Sequence, residues 1–164
     1  MLNLNLKDVD YPDCITTDKS GRIVLFAKVR GFPFKYEHNH IGEDLLRIMR
    51  NWRPVTERPI EFSMFVDLET ILIFQWNGTE FILRAKFNTA DVLSHYDPQF
   101  RNQRILSLYL TGLTEAWLRD LAYNWNLLVE PPKIKEIAEI GLLQKLDSGD
   151  TSSWVTQGDA NSLY

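Results

Sequence analysis

From Arg22 to Arg30 the chain reads RIVLFAKVR. Ile23, Leu25, Ala27 and Val29 fall on one side of an extended backbone, and Val24, Phe26, Lys28 and Arg30 on the other. Both sides are largely apolar, so the run predicts an interior strand. Asp18 to Gly21 is a turn signature, and the β-branched YPDCITT before it predicts the antiparallel partner. After Pro33 the period changes. Ile41, Leu45, Ile48, Met49 and Trp52 recur at helical spacing, with Glu43 and Asp44 expected in the first turn and Arg50 and Arg53 near the end, as the helix dipole favours. Pro54 helps to stop this helix.

The period of two returns in IEFSMFVDLETILIFQW, two runs around Asp67 to Glu69. Asn77-Gly78 is a hairpin signal and TEFILRAKF the returning strand, so a three-strand meander is predicted. TADVLSHY predicts a short helix capped by Thr89, and Pro98 precedes a predicted long helix over 101–126. There Leu106, Leu110, Leu113, Trp117, Leu121, Trp125 and Leu128 recur at steps of three and four, while Ile105, Tyr109, Ala116 and Leu118 widen the stripe. A helix this apolar needs more than one neighbour. Core packing is the first explanation of its aromatic residues Tyr109, Trp117, Tyr123 and Trp125, and a homodimer interface is the second. The expected organisation is one domain over 1–130, an amphipathic helix over 131–146 and a disordered polar tail over 147–164.

Composition narrows the class. With 164 residues, 45% of them hydrophobic, the chain can bury a substantial core. Its net charge of −4 gives no global attraction to nucleic acid, so any phosphate contact must be local. Cys14 is the only cysteine and no secretory leader pattern is seen, which points to a reducing cytoplasm. No apolar run approaches the roughly 20 residues a membrane span requires, and no membrane partner is expected.

The chemistry-bearing residues follow the strand pattern. Pro12-Asp13 lies on the first strand, Lys28-Val29-Arg30-Gly31 ends the second, DLLRIMR (44–50) lies on the helix, and EFSMFVDLETILIFQW comes next. In this order and spacing, residues 11 to about 76 resemble the core of the PD-(D/E)XK, or restriction endonuclease-like, superfamily. The similarity is greatest to the amino-terminal nuclease domains of type I restriction R subunits and their stand-alone relatives. The resemblance implies an α/β (α+β) fold, a mixed sheet flanked by helices. It also implies a Mg²⁺- or Mn²⁺-dependent nuclease acting on DNA, often as a dimer. In such a site carboxylates hold a hard cation and a lysine orients or activates water. The two-residue period of a strand places E-x-K on one face beside the Asp of its neighbour.

The motif is degenerate here. Lys28 stands at the metal-binding Glu position and Arg30 at the catalytic Lys position, and Asp13 alone is retained. A lysine in place of a carboxylate opposes metal entry, since two unit charges about 4 Å apart interact by on the order of 4 kcal/mol at an effective dielectric near 20. Arg30 is poorly suited to proton exchange with water but well suited to grip phosphate. The residues allow a structural ion pair between Asp13 and Lys28 or Arg30, or a phosphate clamp of Lys28, Arg30 and Arg47. The leading expectation is an impaired nuclease-like protein that binds nucleic acid or serves a restriction or mobile-element system, with no cofactor. One alternative is an active Mg²⁺ or Mn²⁺ nuclease that uses Asp13 with Glu43 or Asp44; another is a protein-interaction scaffold. His38 and His40 form an H-x-H beside Glu37 that reads as a solvated loop. Arg101 and Arg104, with Trp52 for stacking, read as scattered surface residues.

Overall fold

A computed structural model describes residues 11–31, 38–52 and 59–153. The first hairpin is β1 (Cys14–Thr17) and β2 (Ile23–Val29). Between them Asp18 closes the turn, its Oδ1 accepting from the backbone N–H groups of Ser20 and Arg22. Helix α1 (His38–Trp52) follows and returns the chain to β3 (Phe62–Val66), which pairs in parallel with β2. β4 (Thr70–Trp76) and β5 (Phe81–Asn88) complete the expected antiparallel meander around the Asn77-Gly78 turn. The sheet order is β5-β4-β3-β2-β1-β6, where β6 (Asp150–Ser153) pairs antiparallel with β1. The fold is therefore mixed α/β, a six-stranded mixed sheet flanked by helices, as the sequence predicts.

Two cores sandwich the sheet. On one face Phe26, Phe65, Leu72 and Phe74 meet Ile41, Leu45, Ile48 and Met49 of α1, the stripe read from the sequence. On the other, Leu25, Ala27, Met64 and Ile73 pack with the later helices around the fully buried Trp117. Alternation holds along β3 and β4. It fails at the start of β2, where Val24 joins the Trp117 core and Ile23 packs against the α1 core. The pairing explains this: Thr16 opposes Leu25 while Thr17 opposes Ile23, so an irregularity in the ladder exchanges the faces.

The carboxy-terminal third is more broken than its periodicity predicts. Helix α2 (Thr89–Leu93) is capped by Asn88, whose Oδ1 accepts from the Ala90 N–H; Thr89 instead donates its hydroxyl to Asp67 O at 2.8 Å. The predicted helix over 101–126 is a 3-10 turn (Phe100–Asn102), an extended link, helix α3 (Ser107–Ala122) and another 3-10 turn (Asn124–Asn126). Phe100 and Ile105 are both buried, and a five-residue spacing does not place two side chains on one helical face. Asp97 holds the link, accepting from the Gln99 N–H and the Tyr109 hydroxyl. At the other end, the Ala122 carbonyl accepts from the Ser148 N–H.

Residues 131–146 form two short helices, α4 (Ile134–Glu139) and α5 (Leu142–Leu146), separated by Gly141 at φ +83°. Their Ile137, Leu142 and Leu146 belong to the main core, so this segment is part of the packed body. Within the expected disordered tail, residues 150–153 are strand β6, and Thr16 and Thr151 join their hydroxyls at 3.0 Å. Residues 154–164 lie outside the described residues, as do 1–10 before Tyr11.

Candidate functional site

The parallel β2–α1–β3 crossover places the candidate residues on the α1 side of the sheet. Lys28 opposes Phe65 in the β2–β3 register and shares a face with Phe26. It is 4% exposed. A cation so deep needs oxygen around it, and Nζ donates to the Tyr11 carbonyl at 2.9 Å and lies 3.6 Å from Asp13 Oδ2. The same Asp13 oxygen accepts from the Val29 backbone N–H at 2.7 Å. Asp13, which lies just before β1 and not on it as the sequence suggests, thus forms an ion pair with Lys28 of β2. The pair is anchored on the Asp13 side by the backbone of β2 and on the Lys28 side by the carbonyl before Pro12.

Burial raises the Asp13 carboxyl above its ordinary range, although 28% of the side chain remains accessible. Lys28, the Val29 N–H and Arg30 all act in the opposite direction and do not fully offset desolvation. Cys14, the next residue, faces the other core, where burial pushes its thiol upward and its Sγ lies 3.9 Å from Thr111 O.

Arg30 continues the strand direction, its backbone N–H donating to Val66 O at 2.8 Å. Lys28, Arg30, Glu43, Asp44 and Arg47 all line one cavity of about 330 Å³, so the structure brings together every sequence-predicted site residue except Asp13, which reaches it through Lys28. Asp44 pairs with Arg47 at 3.0 Å one helical turn away. Glu43 and Asp44 lie in the second turn of α1, because the helix begins at His38; the first turn carries no acidic residue. The expected dipole interaction at that first turn is therefore not the reason for their position.

His38 and His40, read from the sequence as loop residues, are in the first turn of α1, and His40 lines the cavity. Glu37 and Arg53 fall outside the described residues. Among the described residues no three of His, Cys, Asp and Glu are grouped to hold a metal ion, so Asp13, Glu43 and Asp44 do not form a carboxylate cluster. Arg101 pairs with Asp91 at 2.7 Å, and Arg104 borders a separate, larger cavity of about 680 Å³ beside Gly31 and Leu106. Among the described residues no helix is long and apolar enough to cross a membrane.

Three members of the site are not among the site candidates that the sequence offers: His40, which reads there as a solvated loop, the Tyr11 carbonyl and Phe65. The Tyr11 carbonyl gives no signal, since a backbone acceptor is independent of residue type. Phe65 was legible in principle, because a parallel partner of Lys28 within a central strand must share its face. No family model, no curated protein and no solved structure matches this chain.

Proposed function

We propose that the chain is a nuclease-like domain of the PD-(D/E)XK type whose catalytic site is impaired and which binds nucleic acid without cutting it. The observation that carries this reading is the burial of Lys28 against Asp13 and the Tyr11 carbonyl. A divalent ion bound at Asp13 would face that ammonium at contact distance, and displacing it would strand a buried cation. The order of Pro12-Asp13 directly before β1, Lys28 and Arg30 at the end of β2, a crossover helix and a parallel strand supports the same reading. Arg30 and Arg47 supply guanidinium groups at the cavity, where they suit a phosphate oxygen.

Helix α3 favours self-association as part of this reading, since Leu108 is 69% and Trp125 65% exposed on its outer side and following turn. Sedimentation that finds only monomer removes that element. The binding function is tested by fluorescence anisotropy with a short DNA, where Arg30→Ala and Arg47→Ala are each expected to weaken binding about tenfold. Unaltered affinity in both variants refutes the site assignment. Incubation of plasmid and single-stranded DNA in Mn²⁺ is expected to leave both intact, and cleavage would favour the active alternative that uses Glu43 or Asp44.

A further inference from the structure

The cavity lining specifies more than an anion. Its floor is apolar, made by Ile41, Leu45 and Ile48 of α1 and by Phe65 of β3. Its polar wall carries both signs, with Arg30 and Arg47 beside Glu43 and Asp44. Asp44 is already paired with Arg47, so inorganic phosphate would engage the guanidinium groups and leave the apolar floor and the Glu43 carboxylate unmatched. A stacked duplex offers sugars and phosphates but keeps its base faces covered. One unstacked nucleotide supplies each missing partner: an anionic phosphate, a planar base, and an amine or hydroxyl donor for a carboxylate that only accepts.

Size and charge agree. At about 330 Å³ the cavity is at the small end of ligand sites, adequate for one nucleotide and too small for a stacked pair. A chain of net charge −4 has no surplus of cations for a long phosphate track, so contact is confined to one or two phosphates.

Building on the nucleic-acid reading above, we propose that this cavity holds a single unstacked nucleotide of a single strand. The phosphate sits on Arg30 and Arg47, the base lies at the floor beside Phe65, and Glu43 accepts from the sugar or from an exocyclic amine. The site then selects single strands over duplex and responds weakly to salt.

Anisotropy of a 3′-labelled 12-nucleotide single strand and of its blunt duplex tests this, using the full chain. The single strand is expected to bind at least tenfold more tightly, with a slope of log K against log salt of about −0.7 to −1.4, one or two phosphate contacts at roughly 0.7 each. Deoxyadenosine monophosphate is expected to compete at concentrations where inorganic phosphate does not. Phe65→Leu, which keeps the floor apolar, is expected to weaken single-strand binding at least fivefold and, because Phe65 is 6% exposed and packs against α1, to lower the unfolding midpoint by several degrees while the chain stays folded at the assay temperature. Equal affinity for duplex with a slope of −4 or steeper overturns the single-nucleotide inference while leaving nucleic-acid binding standing. No binding of either form at low salt overturns both.

Discussion

Replacing Lys28 by Met removes a buried ammonium and keeps an unbranched side chain of similar length. Asp13 then retains the Val29 N–H at 2.7 Å and loses the counter-charge 3.6 Å away. The gross attraction between unit charges at that separation is on the order of 4–5 kcal/mol at an effective dielectric near 20. Breaking a buried pair by removing one partner typically costs about 3–5 kcal/mol, most of it the penalty of the charge left behind. Asp13 is 28% exposed, so water takes over part of the lost interaction, and the expected loss is about 2–3 kcal/mol at pH 7. Adding Asp13→Asn removes the stranded charge and preserves an acceptor for Val29. The double variant is expected within about 1 kcal/mol of the parent, as when both members of a buried pair are replaced by groups of similar shape.

The pH dependence has a definite sign. Desolvation holds the folded Asp13 carboxyl above its ordinary value of 3.8, so its protonation favours folding. That contribution is complete below 3.8 and is lost as pH rises through the folded value. In Lys28→Met the largest opposing influence is gone and the folded value rises further. This variant is therefore expected to regain stability as pH falls from about 7 toward 5, and the double variant to show no such gain. Urea unfolding followed by tryptophan fluorescence at several pH values measures both effects. Wild-type stability in Lys28→Met, or no rescue by Asp13→Asn, refutes the assignment of this pair as structural.

Other substitutions probe the rest of the fold. A Cβ at Gly149 would lie 1.8 Å from Thr17 O, so Gly149→Ala must push β6 away from β1; a loss of about 2–4 kcal/mol is expected in chemical denaturation. Trp117→Phe leaves the Pro132 carbonyl without the indole N–H now at 2.9 Å and opens space in the main core, with an expected loss of about 2–3 kcal/mol in thermal unfolding. On the nuclease-like reading, Lys28→Glu combined with Arg30→Lys places a second carboxylate beside Asp13. The chain should then be less stable without metal and gain about 2.7 kcal/mol at Mn²⁺ one hundredfold above its Kd, and absence of any Mn²⁺-dependent thermal shift counts against that reading.

The elements nearest the site were the most legible, because their signals are local. Ile41, Leu45, Ile48 and Met49 point one way on any helix that contains them, and Phe62, Met64 and Val66 must share a face in any regular strand. What periodicity could not carry was the exchange of Ile23 and Val24, since the irregularity lies in how Thr16 and Thr17 pair with β2. The break before Ser107 has a similar origin. Nothing in RNQRIL forbids a helix, and the link is extended because the core takes both Phe100 and Ile105. Residues 150–153 are polar and small, with no strand pattern of their own. They are ordered by an edge of β1 that would otherwise present unpaired backbone groups.

The Asp13–Lys28 pair provides a recessed carboxylate with a counter-charge from within the chain. A carboxylate recessed near the end of two adjacent strands needs a cation. In an E-x-K arrangement that cation comes from solution, which makes local order depend on metal concentration. Here the chain supplies it from β2, and Lys28 also joins the Tyr11 carbonyl to the sheet, tying the approach to β1 in place. On the proposed reading Asp13 and Lys28 act as a structural pair, with Lys28 also lining the cavity, and ligand contact falls to Arg30 and Arg47. Changes at Asp13 and Lys28 should therefore register first in stability, and changes at Arg30 and Arg47 first in ligand affinity. A chain in which both sets moved affinity and stability together would contradict that division.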